Sequence, residues 1–231
     1  MSPQHIVRSF DLELERLASE IADMGQAALA QVERARQALQ QFDRPLARQV
    51  IADDDAIDAR EREVSHDVLR LLALRQPNAR DLREVLAALR IAADIERIGD
   101  HAVGMARLSL ALPDDRTPLP ASIHVLGQLT SAMVGDVLDA WRRGDADAAR
   151  AVWRRDDEVD RVHGVLFAQM LQRLLGAGDA AATPLHLLLV AKHLERIGDH
   201  ATNIAEQVWF VAEGAPGAAA PAQDAAAARP R

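Results

Sequence analysis

Apolar residues recur every three or four positions along most of the chain, which places them on one face of an α-helix. One such face, in the third predicted helix, consists of Leu82, Val85, Leu86, Leu89 and Ala93. This periodicity predicts six long helices, at residues 8–41, 45–75, 79–111, 121–143, 146–175 and 184–213. Helices this long are typical of an elongated bundle.

Helix boundaries are predicted from capping residues and helix breakers. The predicted N-terminal caps are Asp43, Asp145, the pair Asn78 and Asp81, and Thr183 followed by Pro184. Residues 112–120 are rich in proline and break the helical pattern, so we expect a linker there. The Ala/Pro/Gly-rich residues 214–231 are expected to be a disordered tail.

The chain contains an internal duplication. The heptapeptide ERIGDHA occurs at residues 96–102 and again, letter for letter, at residues 195–201. Further upstream, Asp54 and Asp58 have counterparts in Asp156 and Asp160. The sequence therefore predicts an all-α protein of two tandem three-helix bundles, residues 1–111 and 121–213, related by internal duplication.

Composition narrows the possible functions. The chain has 231 residues, 49% of them apolar, and a formal net charge of -8. The negative net charge argues against general binding of nucleic acid, because phosphate backbones attract basic proteins. There is no cysteine, so a metal site would use oxygen and imidazole ligands. No signal peptide or membrane span is apparent, and we expect a cytoplasmic protein.

Acidic residues interrupt the apolar faces. Glu96 and Asp100 fall in the middle of the arc of the third helix, where leucine would be expected. In the second helix, Asp54, Asp58 and Glu61 follow helical spacing along one stripe. The second half repeats this arrangement with Asp156, Asp160 and His163 on one helix and Glu195, Asp199, Asn203 and Glu206 on another.

If these helices face each other, four carboxylates converge in each half. Unbalanced like charges at that range would raise one another's pKa and loosen the bundle. Two divalent cations would balance four carboxylates, and oxygen ligands favour magnesium, manganese, calcium or iron. We therefore predict one metal cluster per half. The alternative for each acidic pair is a solvated helix face or an arginine partner.

Several neighbouring residues receive simpler interpretations. Gly99 and Gly198, in mid-helix, are expected to permit close helix packing. His101 and His200 lie about 100° round the helix from the acids, and we expect them at the surface. His163 is on the acidic stripe, where it is either a structural residue or a ligand.

No catalytic motif is apparent. The sequence lacks a phosphate-binding loop, a Gly-x-Ser-x-Gly motif and a pair of Glu-x-x-His motifs. We therefore expect a protein that is not an enzyme. Two other interpretations stay open: a carboxylate-bridged metalloenzyme, and a metal-free helical scaffold whose acids pair with arginine.

The motifs resemble those of a known family. QPNARDLR at residues 76–83 and DIERIGDHA at 94–102 resemble the first signature of the PhoU family of phosphate-uptake regulators. HLERIGDHATNIAE at residues 193–206 resembles the second. The segments 54–58 and 156–160 look like the family's Asp-x-x-Ile/Val-Asp elements, and the likeness runs from about His5 to Val211.

The resemblance implies two three-helix bundles, often in a homodimer, with metal clusters of iron, manganese, magnesium or zinc. The ligand candidates that it carries over are Asp54, Asp58, Glu96 and Asp100, then Asp156, Asp160, Glu195 and Asp199, with Asn203 and Glu206 as additions. It also implies a cytoplasmic adaptor that represses the phosphate-starvation response. The implied partners are the ATPase subunit of the phosphate ABC transporter, at the inner membrane, and the phosphate sensor histidine kinase.

Overall fold

The computed structural model describes residues 3–74, 79–113, 118–176, 178 and 181–214, with side chains from residue 12 onward. These residues form eight α-helices and no strand. The helices are α1 (Pro3–Gln41), α2 (Arg44–Ala52), α3 (Asp54–Leu74), α4 (Ala79–Ala111), α5 (Ala121–Arg143), α6 (Ala146–Arg154), α7 (Asp156–Gly176) and α8 (Ala182–Glu213). The all-α prediction is confirmed.

The prediction of one continuous second helix in each half is wrong. A break at Asp53 separates α2 from α3, and a break at Arg155 separates α6 from α7. Each new helix begins with consecutive acids, Asp54 and Asp55 in α3 and Asp156 and Asp157 in α7. Carboxylates are favoured in a first turn because they face the positive end of the helix dipole. The runs of acids therefore mark helix starts.

Two of the predicted caps are confirmed. Asp43 accepts a hydrogen bond from the N–H of Leu46 at 2.9 Å, and Asp145 accepts one from the N–H of Ala148 at 2.9 Å. The predicted cap at Thr183 is wrong, since α8 already begins at Ala182 without a side-chain cap. Asn78 and the tail from residue 215 lie outside the described residues.

The packing places α4 and α8 against each other at the centre of the molecule. Helix α1 contacts α4, helix α5 contacts α8, and α1 and α5 contact each other. Helices α2 and α3 cover the outer side of the first half, and α6 and α7 cover that of the second. The buried face of α4 contains Val85, Ile91, Ile95 and Ile98. Burial of these apolar side chains stabilises the packing of α4 against its neighbours.

This packing corrects the predicted apolar arc of α4. Val85 is buried and Leu86 and Leu89 are half-buried, but Leu82 is 37% exposed and Ala93 is also exposed, so the predicted arc overlaps the buried face only in part. Helix α4 buries a different face because it is covered by α1 on one side and α8 on another. The acids therefore lie at the border of the core.

Candidate metal sites

The first acidic cluster lies where the first two turns of α3 meet the middle of α4. Asp54 and Asp58 come from α3, and Glu96 and Asp100 from α4. Burial raises the pKa of Asp54, and the negative charges of Asp58 and Asp100 raise it further. Burial likewise raises the pKa of Glu96, with further increases from Asp100 and Asp58. The four carboxylates are thus close enough to repel one another.

The second acidic cluster repeats this arrangement between α7 and α8. Burial raises the pKa of Asp156, and Asp160 and Asp199 raise it further. The pKa of Asp199 is raised by burial and then by Glu195, with a smaller contribution from Asp160. The structure therefore brings together the predicted acids of each half.

Cationic side chains balance only part of this charge. In the first cluster, the Arg97 guanidinium lies 3.6 Å from Glu96 and 3.7 Å from Asp100. In the second, Lys192 pairs with Glu195, and Arg196 lies 3.2 Å from Asp199. Arg97 and Arg196 are largely exposed, so solvent weakens their attraction for the acids.

The side chains of the candidate ligands are not arranged as a complete metal site. Among the residues that the structure describes, no group of three or more His, Asp or Glu side chains is arranged so that it could hold a metal ion. The donors are nevertheless the hard oxygen ligands of the predicted cations, and burial, followed by neighbouring carboxylates, raises the pKa of Asp54 and Asp156. Metal binding at these clusters stays a prediction.

Three other predicted residues have different surroundings. The Asn203 amide donates to Asp94 Oδ1 at 3.1 Å, across the contact between α8 and α4. His163 stacks obliquely on Phe167, and its buried Nε2 has no partner among the described residues. Glu206 is half-buried two turns beyond Asp199 on α8. In the part of the chain that the structure describes, the one hydrogen bond among these three therefore goes to Asp94, which is not one of the predicted ligands.

Sequence reasoning missed a glutamine that supports the first cluster. Gln31 of α1 is fully buried, and its Nε2 donates to Val50 O at 3.1 Å and to Asp54 Oδ1 at 3.3 Å. In the second cluster, Thr202 Oγ1 donates to Asp156 at 3.3 Å. The available signal was a lone polar residue at position 31 among the apolar positions of α1.

Close packing explains the two mid-helix glycines, as predicted. A Cβ atom at Gly99 would lie 3.0 Å from Gln31 Oε1 and 3.3 Å from Ile57 Cδ1. A Cβ atom at Gly198 would lie 3.3 Å from Val159 Cγ1. Glycine therefore lets α3 and α7 approach the central helices directly beside the acids.

The surface position predicted for His101 and His200 is wrong. His101 Nδ1 lies 3.1 Å from His193 Nδ1, and His200 Nδ1 lies 2.8 Å from Asp94 Oδ1. These side chains meet where α4 packs on α8. A helical wheel of either helix alone could not show this, because the partner helix lies about a hundred residues away in the chain.

We expect His101 to make the protein less stable in mild acid. Burial, followed by electrostatic repulsion from the neighbouring His193 and His200, lowers the pKa of His101 from 6.5 to about 4. Between these values the unfolded chain binds the proton and the folded chain does not, so the free energy of unfolding falls as pH drops from 7 toward 4. Urea unfolding at a series of pH values should show that the free energy of unfolding falls less steeply in His101→Gln than in the wild type. His66→Gln is the control, since its side chain is 78% exposed, and an equal change in both variants would contradict the prediction.

Sequence and structure comparisons agree with this architecture. The PhoU domain matches residues 21–109 and again residues 123–208, the two halves found above. The chain belongs to the PhoU family.

Relatives extend the PhoU likeness over most of the chain. The chain is 47% identical over 212 residues to a protein of Xylella fastidiosa (strain 9a5c) named "Phosphate-specific transport system accessory protein PhoU homolog", covering 91% of this chain and 89% of that protein. The crystal structure of PhoU from Pseudomonas aeruginosa has a TM-score of 0.84 at 35% identity, covering 89% of this chain and 100% of the other.

A second solved structure shows the same PhoU fold. The phosphate transport system regulatory protein PhoU from Streptococcus pneumoniae has a TM-score of 0.82 at 30% identity, covering 90% of this chain and 98% of the other.

Within the described residues, no helix is both long and apolar enough to cross a membrane.

Proposed function

We propose that this PhoU-family protein is a non-enzymatic regulator of phosphate uptake. In this role it represses the phosphate-starvation response in phosphate-rich cells. It acts in the cytoplasm, as a homodimer, between the ATPase subunit of the phosphate ABC transporter and the sensor histidine kinase. The observation that carries the proposal is the match to phosphate transport accessory proteins over 91% of the chain.

Metal binding is the second part of the proposal. Asp54, Asp58, Glu96 and Asp100 would hold cations in the first half, and Asp156, Asp160, Glu195 and Asp199 in the second. Bound cations would supply the positive charge that these clusters lack. Asn203 and Glu206 would be additional ligands of the second half, with the amide nitrogen of Asn203 donating to Asp94.

The chain's own residues prepare the carboxylates for this role. Gln31 and Thr202 each donate a hydrogen bond to the first acid of a cluster, Asp54 and Asp156, and so fix one oxygen of each. Hydrogen bonds to a carboxylate favour its charged form, which is the form that binds a cation. Metal would therefore tie α3 to α4 and α7 to α8.

The regulatory role can be tested by deleting the gene. We expect phosphate-starvation genes to be expressed in phosphate-rich medium in the deletion strain, and repression to return with the wild-type gene. Full repression without the protein would refute the proposal. A copy carrying both Asp156→Asn and Asp199→Asn tests the metal contribution, and Asp139→Asn, which removes an exposed acid paired with Arg142, is the matched control.

A further inference from the structure

A cavity of about 630 Å³ opens at one end of the molecule, away from the acidic clusters. It lies between the N-terminal part of α1, the beginning of α4 and the ends of α5 and α8. Its walls include the buried side chains of Leu17, Ala88 and Val208, and the half-buried Trp141. Sites of this size and character typically take small organic molecules.

One cationic side chain on this wall has no counter-charge within the described part of the chain. Arg83 of α4 is half-buried, and among the described residues it has neither an ion pair nor a hydrogen-bond partner. Its Nε is buried without an acceptor, and its guanidinium packs beside Gly214 at the end of α8. A guanidinium keeps its charge at physiological pH, so a half-buried one favours an anionic partner.

The other charged groups of the cavity leave Arg83 available. Arg80 lies 3.2 Å from Glu84, and Arg142 lies 3.1 Å from Asp139, which is outside the cavity wall. Glu15 is exposed at the rim. Glu84 is therefore already engaged, and the inner wall combines an unpaired cation with apolar surface.

We propose that this cavity binds a small amphipathic anion. The anionic head, a carboxylate or a phosphate monoester, accepts hydrogen bonds from the Arg83 guanidinium, which can donate two in parallel. The apolar body of the ligand lies along Leu17, Ala88 and Val208. The site is independent of the metal clusters and of the regulatory role proposed above.

Trp141 provides the readout, because its indole lines the cavity while Trp153 and Trp209 pack against each other elsewhere. The probes are decyl phosphate and decanoate, below their micelle concentrations, with decanol as the uncharged probe and inorganic phosphate as the head alone. We expect saturable changes in fluorescence with both anions, at least about tenfold tighter than with decanol. Inorganic phosphate should not bind measurably.

Variants assign the effect to named residues. Arg83→Gln should remove the preference for anions over decanol, whereas Arg83→Lys should keep part of it. Arg143→Gln is the matched control, since Arg143 is exposed on α5 and is not part of the wall. Trp141→Phe should abolish the fluorescence change, and circular dichroism checks that each variant is folded.

Three results would overturn the proposal. Equal affinity for decyl phosphate and decanol would show that no cation takes part. If folded Arg83→Gln and folded Arg83→Lys both keep the wild-type preference for anions over decanol, Arg83 is not the cation. A fluorescence change that persists in Trp141→Phe would place binding at another site.

Discussion

Replacing Asp156 with asparagine should stabilise the metal-free protein and destabilise the metal-loaded protein. Without metal, the charge of Asp156 is opposed by burial and by Asp160 and Asp199. Removing it should raise the free energy of unfolding by up to about 1 kcal/mol, after allowance for solvent screening. The Thr202 hydrogen bond can be kept, because the asparagine oxygen still accepts.

With metal the sign should reverse. A ligand at a hundred times its dissociation constant stabilises a folded protein by about 2.7 kcal/mol, and the variant should lose most of this. The measurement is urea unfolding of both proteins in EDTA and in saturating manganese. Asp139→Asn should give the same small change in both conditions. If manganese leaves the wild-type stability unchanged, the acids are not a metal site. The same conclusion follows if Asp156→Asn changes the free energy of unfolding in the same direction in EDTA and in manganese.

The pH dependence of the metal-free protein follows from the same burial of the acids and from the repulsion between them. Asp54, Glu96, Asp156 and Asp199 all have raised pKa values. Between the unfolded and folded values the folded state binds more protons, so these acids lower stability as pH rises. His101 acts in the opposite direction, which is why its contribution above is measured by difference between variants.

Gly99→Leu should destabilise the protein by about 3 kcal/mol, at the upper end of the range for overpacked cores. Its Cβ alone would lie 3.0 Å from the fully buried Gln31 and 3.3 Å from Ile57. Neither neighbour can move freely, because Gln31 is held by its hydrogen bonds to Val50 and Asp54. The added branch must therefore push α3 or α1 away from α4.

Gly164→Ala is the matched control for this prediction. Gly164 is also in mid-helix, but a Cβ there would meet no atom within 4 Å. We expect it to stabilise the protein by up to about 1 kcal/mol, through helix propensity alone. Midpoints of urea unfolding in EDTA measure both variants without interference from metal. A Gly99→Leu variant as stable as wild type would show that the packing at this glycine is loose.

The acidic clusters show which features of the candidate site could be predicted from the sequence. The stripes on α3 and α7 and their partners on α4 and α8 could be found from helical spacing and duplication, since both are properties of short segments. The support from Gln31 could not be assigned, because it depends on the tertiary contacts of α1 with α2 and α3. The breaks at Asp53 and Arg155 did have a local signal in the following acids.

Four features could be inferred from the amino-acid sequence without any coordinates: the helical class, the duplication, most helix ends and the division of the acids into two sets. Helix formation and capping depend on residues a few positions apart, so these features can be inferred locally. The burial of particular helix faces, the contact of His101 with His193 and the place of Arg83 in a cavity wall became apparent only from the packed helices. These depend on the contact of helices far apart in the chain, and burial changes the energy of a polar group only once that contact has formed.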